Sequence, residues 1–352
     1  MTVVLGILTF LLILGALVLV HETGHYSFAK LFGVRVDEFG VGFPPRVKSW
    51  ERGGTLYSLN AIPLGGFVKM AGENGEDHEP GSFGAKAPWK RFIILIAGAS
   101  MNIMLAFAIF FGLYMHGAPR ETTMITRVVA GTPAASAHLR VHDQIVAVDG
   151  RKVRFFDDLA TRTATRLGHR VDITILRGQK QFSTSVLLRM QPPKGQGPMG
   201  IVLGQTRMVS YGLSESARLA GQQIVSTVTA VPQIVTQRLA QQGSRGNGNL
   251  VGPVGIAHIT TSVVQHKDNQ RLESLLGLMA LLSANLGVLN LLPFPALDGG
   301  RIVFVLISGI RRRNLDPEVE GMIHAVGMAV LLTLVVVVSY HDIARWISGA
   351  SV

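Results

Sequence analysis

The sequence predicts a polytopic α-helical membrane protein with an inserted α+β domain, and its composition is the first reason. Hydrophobic residues make up 48% of the 352 positions and charged residues only 16%, which is too apolar for a water-soluble surface. The apolar residues are concentrated in runs close to the roughly 20 residues that a helix needs to cross a bilayer core of about 30 Å. Because backbone groups in lipid must bond to one another, these runs should form about four transmembrane helices. They cover residues 3–20, 92–115, 274–292 and 325–338.

The first apolar run could instead be a secretory signal peptide. Such a peptide begins with a positively charged segment and ends at small residues that mark a cleavage site. This chain has no Lys or Arg before Val3, and the run continues into His21-Glu22-Thr23-Gly24-His25. We therefore expect a membrane helix here.

The formal net charge of +11 does not indicate a nucleic-acid partner, because no basic stripe alternates with aromatic residues. Basic residues instead flank the predicted spans, and the positive-inside rule assigns such flanks to the cytoplasm. The N-terminus and the long segment between the second and third spans are then expected outside. The flanking residues are Lys30, Arg35, Lys86, Lys90, Arg91, Arg311, Arg312 and Arg313.

The segments between the apolar runs have other patterns. A Gly-rich stretch after the first span contains two predicted short strands, 34–39 and 55–59, with Gly40 and Gly42 at turn or bulge positions. A soluble α+β pattern follows the second span. Its predicted strands are 125–129, 144–148 and 171–176, and its predicted helix is 156–167.

These patterns divide the chain into four predicted regions. The helix predicted over 211–242 is only partly apolar, so an interfacial helix is expected, although a fifth span stays open. A Gly/Asn linker follows at 244–249. The regions are an N-terminal membrane half (1–117), the inserted domain (118–206), the interfacial helix with its linker (207–250) and a C-terminal membrane half (251–352).

His21-Glu22-Thr23-Gly24-His25 fits the H-E-x-x-H pattern. Two His four residues apart lie on one helical face, so both imidazoles can reach one Zn²⁺. Glu22 stands beside them, where a carboxylate can act as general base. The alternative is a polar cluster at a helix end. Ionisable residues that continue an apolar span are costly and usually functional, which favours the metal site.

A catalytic zinc usually has three protein ligands and one open position. Asp298 is the candidate for the third, because it is a lone carboxylate near the end of the third span. Pro293 and Pro295 break the helix there, and Gly299-Gly300 allows a close backbone approach. Taken alone, Asp298-Gly299 would more simply be a turn that caps the span. The two histidines make the ligand interpretation the better one.

Two separated motifs resemble the site-2 protease family, peptidase family M50, and in particular its bacterial branch of regulator-of-sigma-E-type proteases. One is the His21–His25 segment at the end of the first span. The other runs from Asn290 through Pro293 to Leu297-Asp298-Gly299. Further similar segments are 33–36, 39–43, 63–70 and 252–256, so the resemblance extends over nearly the whole chain.

The resemblance implies an intramembrane zinc metalloprotease with one Zn²⁺ per chain. His21, His25 and Asp298 would bind the zinc, and Glu22 would be the general base. Asn290 and Pro293 would contact the substrate or its oxyanion, and the loop with Gly40 and Gly42 would dip into the membrane and pair with an extended substrate segment. The implied location is a bacterial cytoplasmic (inner) membrane, with the active site near the cytoplasmic face.

The inserted domain resembles a bacterial PDZ domain over Gly131-Thr132-Pro133 and the segment 143–150. His138 and His142 stand where such domains usually have Gly, so peptide-tail binding in its groove is left open. On the outer face, the domain would reject substrates with bulky external parts. Implied substrates are pre-trimmed single-span proteins, such as anti-sigma factors or signal-peptide remnants.

Two other functions fit the sequence less well. A cation transporter would need ligands spread along several spans, whereas the candidate ligands gather at one depth. A silent PDZ adaptor would not need all four catalytic residue types. Asn102 is expected to form a hydrogen bond between helices, and His324 is expected at the membrane interface.

Overall fold

The computed structural model of the chain describes residues 2–73, 79–193, 196–240, 252–265, 271–311 and 316–347. It contains two compact units, Tyr114–Leu213 and the remainder, Met1–Leu113 with Ser214–Val352. The helices are α1 (Thr2–Leu31), α2 (Pro88–His116), α3 (Pro133–Ser136), α4 (Phe156–Ala164), α5 (Leu213–Ala240), α6 (Pro253–Gln265), α7 (Arg271–Asn290), α8 (Asp298–Arg311) and α9 (Pro317–Ile347). The strands are β1 (Val36–Arg52), β2 (Thr55–Met70), β3 (Ala118–Glu121), β4 (Ile125–Val128), β5 (Gln144–Val148), β6 (Arg151–Lys152), β7 (Arg170–Arg177), β8 (Lys180–Leu187), β9 (Ile201–Leu203) and β10 (Thr206–Val209).

Four helices of the larger unit, α1, α2, α7 and α9, are long and apolar enough to cross a membrane. They coincide with the four apolar runs, so four helices of the predicted length and apolar character are confirmed. The helix predicted over 211–242 is present as α5 but is not among the four. The predicted linker 244–249, together with Arg312 and Arg313, lies outside the described residues.

The short helices α6 and α8 were not predicted from the sequence. They have 13 and 14 residues, too few to cross a bilayer core. Pro253 begins α6, and α8 begins after the turn that contains Pro293 and Pro295. Prolines fit these positions because they can start a helix but cannot continue one.

The Gly-rich stretch forms a β-hairpin that is folded back on itself, so the short strands predicted at 34–39 and 55–59 are wrong in length. Strands β1 and β2 have 17 and 16 residues. Gly40 pairs with both Phe67 and Ser58, while the far end of β1 pairs with the start of β2, as in Trp50 with Tyr57. The hairpin therefore has four strand segments, in the order 66–70, 36–43, 55–60 and 46–52. The register shifts at several points along both strands, and β1 bends near Gly42, whose φ is 79°.

The smaller unit is an α+β domain with its own core. Its central sheet has the order β6-β5-β7-β8, and the pairs β3–β10 and β4–β9 complete it. The alternating strand pattern turns Ile145, Ile173 and Ile175 inward, where at most 3% of each is exposed. His138 and His142 have φ angles of 58° and 69°. This left-handed region favours Gly, which agrees with the expectation that PDZ domains of this kind have Gly at these two positions.

A buried carboxylate stabilises this domain. Asp143 accepts hydrogen bonds from Nε and Nη2 of Arg177, both at 2.7 Å, and from the backbone N–H of Arg140 at 2.8 Å. Burial raises the pKa of Asp143, but these hydrogen bonds outweigh burial and hold that pKa below its ordinary value. A depressed folded-state pKa gives stability that is complete above the unfolded-state pKa and is lost as the pH falls through the folded-state pKa.

Acid is therefore expected to loosen the domain through Asp143. In the full-length protein, hydrogen exchange of β5 and β7, corrected for intrinsic rates, should be constant above about pH 5 and should rise below about pH 4. In the Asp143→Asn variant, the amides of β5 and β7 should exchange faster at pH 7, and their exchange rates should depend less on pH. Equal protection of the variant and the wild type at pH 7 would contradict this expectation.

Candidate metal centre

Helix α1 carries His21 and His25 on one face. Residues four apart lie one above the other, because an α-helix has 3.6 residues per turn. The two Nε2 atoms are 3.1 Å apart, and each residue is only 6% exposed. The structure thus brings together two buried imidazoles that face a common point.

Asp298 reaches the same point because the chain turns back after α7. The sequence predicted Asp298 at the end of the third span. The structure instead makes it the first residue of α8, beyond the end of α7. A Cβ on Gly299 would lie 2.0 Å from the carbonyl oxygen of Leu292, so this tight return requires glycine. Oδ2 of Asp298 lies 3.0 Å from Nε2 of His21 and 3.3 Å from Nε2 of His25.

These three side chains fit a zinc ion. Zinc in a tetrahedral site has ligand distances of about 2.0–2.1 Å, which separates its ligand atoms by roughly 3.3 Å. The three atoms of the cluster are 3.0–3.3 Å apart. Oδ2 of Asp298 is buried and has no hydrogen-bond partner with proper geometry among the described residues. Across the described ranges, this is the group of His, Cys, Asp and Glu side chains close enough to share a metal ion.

The orientation of His25 also suits a metal. Its Nδ1 lies 2.8 Å from the backbone oxygen of Ile94, so Nδ1 carries a proton and donates a hydrogen bond to this oxygen. The proton on Nδ1 leaves the lone pair on Nε2, which faces the cluster. Such outer hydrogen bonds fix the tautomer and the ring angle of metal-binding histidines.

Glu22 stands between the two histidines in sequence and is half-buried beside the β-hairpin. A Cβ on Gly66 would lie 3.9 Å from Cγ of Glu22, so β2 passes close to this side chain. A carboxylate in this position can take up and release a proton next to a bound peptide segment.

The sequence model of Peptidase family M50 matches residues 9–334 of the chain. The chain belongs to this family. Zinc metalloprotease RasP of Shouchella clausii is 28% identical over 97% of this chain and 99% of its own length. A relative from Clostridium perfringens is 35% identical over 95% of this chain and 97% of its own length. A relative from Agrobacterium fabrum is 31% identical over 97% of this chain and 96% of its own length. Their names also describe zinc metalloproteases, and this M50 peptidase is accordingly a multi-pass membrane zinc metalloprotease.

Solved structures of PDZ domains are similar to a part of the M50 peptidase. The PDZ domain of an SdrC-like protein from Listeria monocytogenes is 24% identical, with a TM-score of 0.21, and covers 24% of this chain and 87% of its own. Its counterpart from Listeria innocua is 22% identical, with a TM-score of 0.22, and covers 24% of this chain and 96% of its own.

The four residues expected to contact substrate in the M50 peptidase lie in two places. Asn290 is the last residue of α7 and is half-buried, while Pro293 is exposed in the following turn. Gly40 lies inside the hairpin sheet. Gly42 has a φ of 79° and marks the bend of β1. None of the four forms a hydrogen bond or ion pair with the metal cluster among the described residues.

The sequence did not reveal how the turn before Asp298 is held in this M50 peptidase. His324 on α9, which was expected at the interface, accepts a hydrogen bond at Nδ1 from the backbone N–H of Ala296, at 2.9 Å. Arg301 on α8 forms an ion pair with Glu73, just after β2. The available signal was a polar residue at the edge of an apolar run, but such a residue does not identify its partner.

Replacing His324 by Phe is expected to weaken zinc binding about tenfold, because outer partners of metal ligands typically contribute 10- to 100-fold in affinity. Ala296 has a φ of 78°, which non-Gly residues rarely adopt, and its bond to His324 holds the turn two residues before Asp298. Competition with a fluorescent chelator measures the zinc Kd. The control is His258→Phe on α6, whose ring lies 6.0 Å from that of Trp346. An equal loss in both variants would contradict the expectation.

Proposed function

We propose that this M50 peptidase hydrolyses peptide bonds within or near the transmembrane segments of single-span membrane proteins. One observation carries the proposal. Two of the three residues of the metal cluster, His21 and His25, lie on α1, a helix that is long and apolar enough to cross a membrane. A peptide bond reaches such a site most directly from a segment that is itself in or beside the membrane.

In the proposed reaction, His21, His25 and Asp298 hold the zinc, and Glu22 is the general base. When bound, zinc supplies a Lewis acid that polarises the scissile carbonyl and makes water more acidic. Glu22 takes a proton from the attacking water and delivers it to the leaving amine. Asn290 donates a hydrogen bond to the substrate carbonyl as it gains negative charge. Pro293 is proposed to line the same side of the site.

The substrate is proposed to bind as an added strand along residues 66–69 of β2. On one side, Phe67 and Val68 pair with Gly40 and Phe39 of β1. No other described strand pairs with their second side, and Gly66 stands next to Glu22. A transmembrane helix hides its peptide bonds, whereas a segment extended along this edge exposes them to hydrolysis.

This arrangement changes the proposed roles of Gly40 and Gly42. Gly40 already pairs with strand segments on both sides, so its backbone is not available to a substrate strand. A Cβ on Gly40 would lie 2.3 Å from the Phe67 ring. Both glycines are therefore proposed to shape the hairpin that presents the binding edge, rather than to contact the substrate.

Contacts between β2 and α1 support a hairpin that dips into the membrane. A Cβ on Gly65 would lie 3.0 Å from Val18, and one on Gly15 would lie 3.5 Å from the carbonyl oxygen of Pro63. Gly15 and Val18 belong to the apolar run of α1. If α1 crosses the bilayer, this part of β2 lies at the same depth as that run.

The remaining proposals concern location and substrates. A bacterial cytoplasmic (inner) membrane is proposed because the relatives described above are bacterial, and the basic residues beside the spans support a metal centre near the cytoplasmic face. The inserted PDZ-like domain would then be extracytoplasmic and would exclude substrates with bulky outer domains. Such a filter suits single-span proteins that another protease has already trimmed. Anti-sigma factors and signal-peptide remnants fit this description, and cleavage of the former would serve signalling.

Cleavage of a short single-span substrate in liposomes tests the proposed function. The wild-type protein is assayed alone, with a zinc chelator and after zinc is restored, and mass spectrometry of the products locates the broken bond. We expect cleavage within or next to the span, loss with chelator and recovery with zinc. Cleavage only in the soluble flanks, or equal activity on a soluble unfolded protein, would overturn the proposal.

A further inference from the structure

Asn102 on α2 is a fully buried polar residue beside the metal cluster. Its exposure is 0%, and its Nδ2 lies 3.4 Å from Nδ1 of His21. Its Oδ1 is buried without a hydrogen-bond partner among the described residues. A buried amide in an apolar environment is costly unless it is paired, so this arrangement calls for a physical explanation.

The chemistry of His21 supplies the explanation. Its Nε2 faces Nε2 of His25 and Oδ2 of Asp298, and it can bind a metal only through a free lone pair. The ring proton must then be on Nδ1, which faces Asn102. An amide NH₂ group and a ring N–H are both donors and cannot bond to each other. A half-turn about the last side-chain bond of Asn102 exchanges its two terminal atoms and presents Oδ1 to the ring N–H.

We propose that Asn102 is a positioning residue that accepts a hydrogen bond at Oδ1 from Nδ1–H of His21. This bond fixes His21 in the tautomer that leaves Nε2 free for the metal. The proposal rests on the proposed role of His21 as a zinc ligand. It gives the two histidines equivalent support, because His25 donates from its own Nδ1 to the backbone oxygen of Ile94 at 2.8 Å.

Neighbouring contacts hold Asn102 at the required place. Ser283 on α7 donates a hydrogen bond to the backbone oxygen of Asn102, at 2.7 Å. A Cβ on Gly287, one turn further along α7, would lie 2.9 Å from the backbone oxygen of Ala99. Helix α7 is therefore packed closely against the turn of α2 that carries Asn102. The amide approaches the far side of the His21 ring, so it supports the ligand rather than binding the metal.

Zinc affinity of the full-length protein without substrate tests the proposal. The variants are Asn102→Leu, which removes the acceptor, and Asn102→Asp, which keeps an acceptor and removes the donor. Asn102→Leu is expected to weaken zinc binding about 10- to 100-fold. Asn102→Asp should bind zinc as tightly as the wild type or more tightly. The control is Thr260→Val on α6, which removes a buried hydroxyl that donates a hydrogen bond to the backbone oxygen of Ile256 at 2.9 Å and should bind zinc like the wild type.

Each outcome decides between supporting and overturning the proposal. Wild-type affinity in Asn102→Leu would overturn it, and so would a loss in Asn102→Asp as large as that in Asn102→Leu. If Asn102→Leu does not fold, as judged by its unfolding temperature without metal, Asn102→Ala, which also removes the acceptor, takes its place in the same comparison. Unchanged zinc binding in a His21→Ala variant would instead sink the proposed function, so the two failures are distinguishable.

Discussion

Replacement of Glu22 by Gln is expected to lower kcat for cleavage of a single-span substrate by about 10²- to 10⁴-fold, the usual contribution of a general base. Glutamine has the same shape as glutamate but cannot accept the proton from water. Glu22 is half-buried next to β2, and Gln fills this space without a cavity. Zinc content and unfolding temperature should therefore remain close to those of the wild type.

A matched control separates proton transfer from a change of charge. Glu51 is exposed at the far end of β1, and Glu51→Gln removes the same charge without approaching the cluster. This variant should cleave like the wild type. If Glu22→Gln retained more than about a tenth of the wild-type rate, Glu22 could not be the general base.

Replacement of Gly98 by Ala is expected to abolish both zinc binding and cleavage. A Cβ on Gly98 would lie 2.4 Å from Nε2 of His25 and 2.8 Å from Nε2 of His21. Contacts this short force the rings to move. His25 cannot move freely, because its Nδ1 is bonded to the backbone of Ile94 on the same helix α2. The metal-binding atoms would be displaced, and a shift of about 1 Å at an active site can cost 10²-fold in rate.

Gly112 provides the control on the same helix. A Cβ at that position would meet no atom within 4 Å, so Gly112→Ala makes the same chemical change in open space. It should leave zinc binding and cleavage intact and should stabilise α2 slightly, because Ala favours helices over Gly. Zinc stoichiometry and cleavage rates of the two variants check both expectations. A zinc-replete, active Gly98→Ala protein would contradict the geometry described for the cluster.

The parts of the fold that follow from local pattern were predicted from the sequence. Apolar runs indicate spans because the length of a helix in lipid is set by bilayer thickness. The spacing of His21 and His25 indicates a shared ligand because helical periodicity puts them on one face. Asp298 was predicted by a different route, from its chemistry and its position near a span end. The first two inferences use information contained within one short segment, whereas the third also depended on the two histidines.

The parts that depend on long-range packing were not predicted. Asn102 and His21 are separated by 81 positions, and Arg301 and Glu73 by 228. Their polar character indicates that partners exist, but the identity of each partner depends on which helices and strands pack together. The doubled hairpin was not predicted for the same reason, because it depends on which strand segments pair with one another. The alternation of apolar and polar residues along β1 cannot reveal that Gly40 pairs with strand segments on both of its sides.

The most direct test of the central claim is zinc K-edge X-ray absorption, together with zinc stoichiometry, on the wild type and on Asp298→Ala. The account predicts one zinc per wild-type chain, with nitrogen and oxygen ligands at about 2.0–2.1 Å. No sulfur ligand from cysteine is possible, because the chain has no Cys. The variant should lose the zinc or show altered coordination. Full zinc occupancy with an unchanged spectrum in Asp298→Ala would contradict the proposed site.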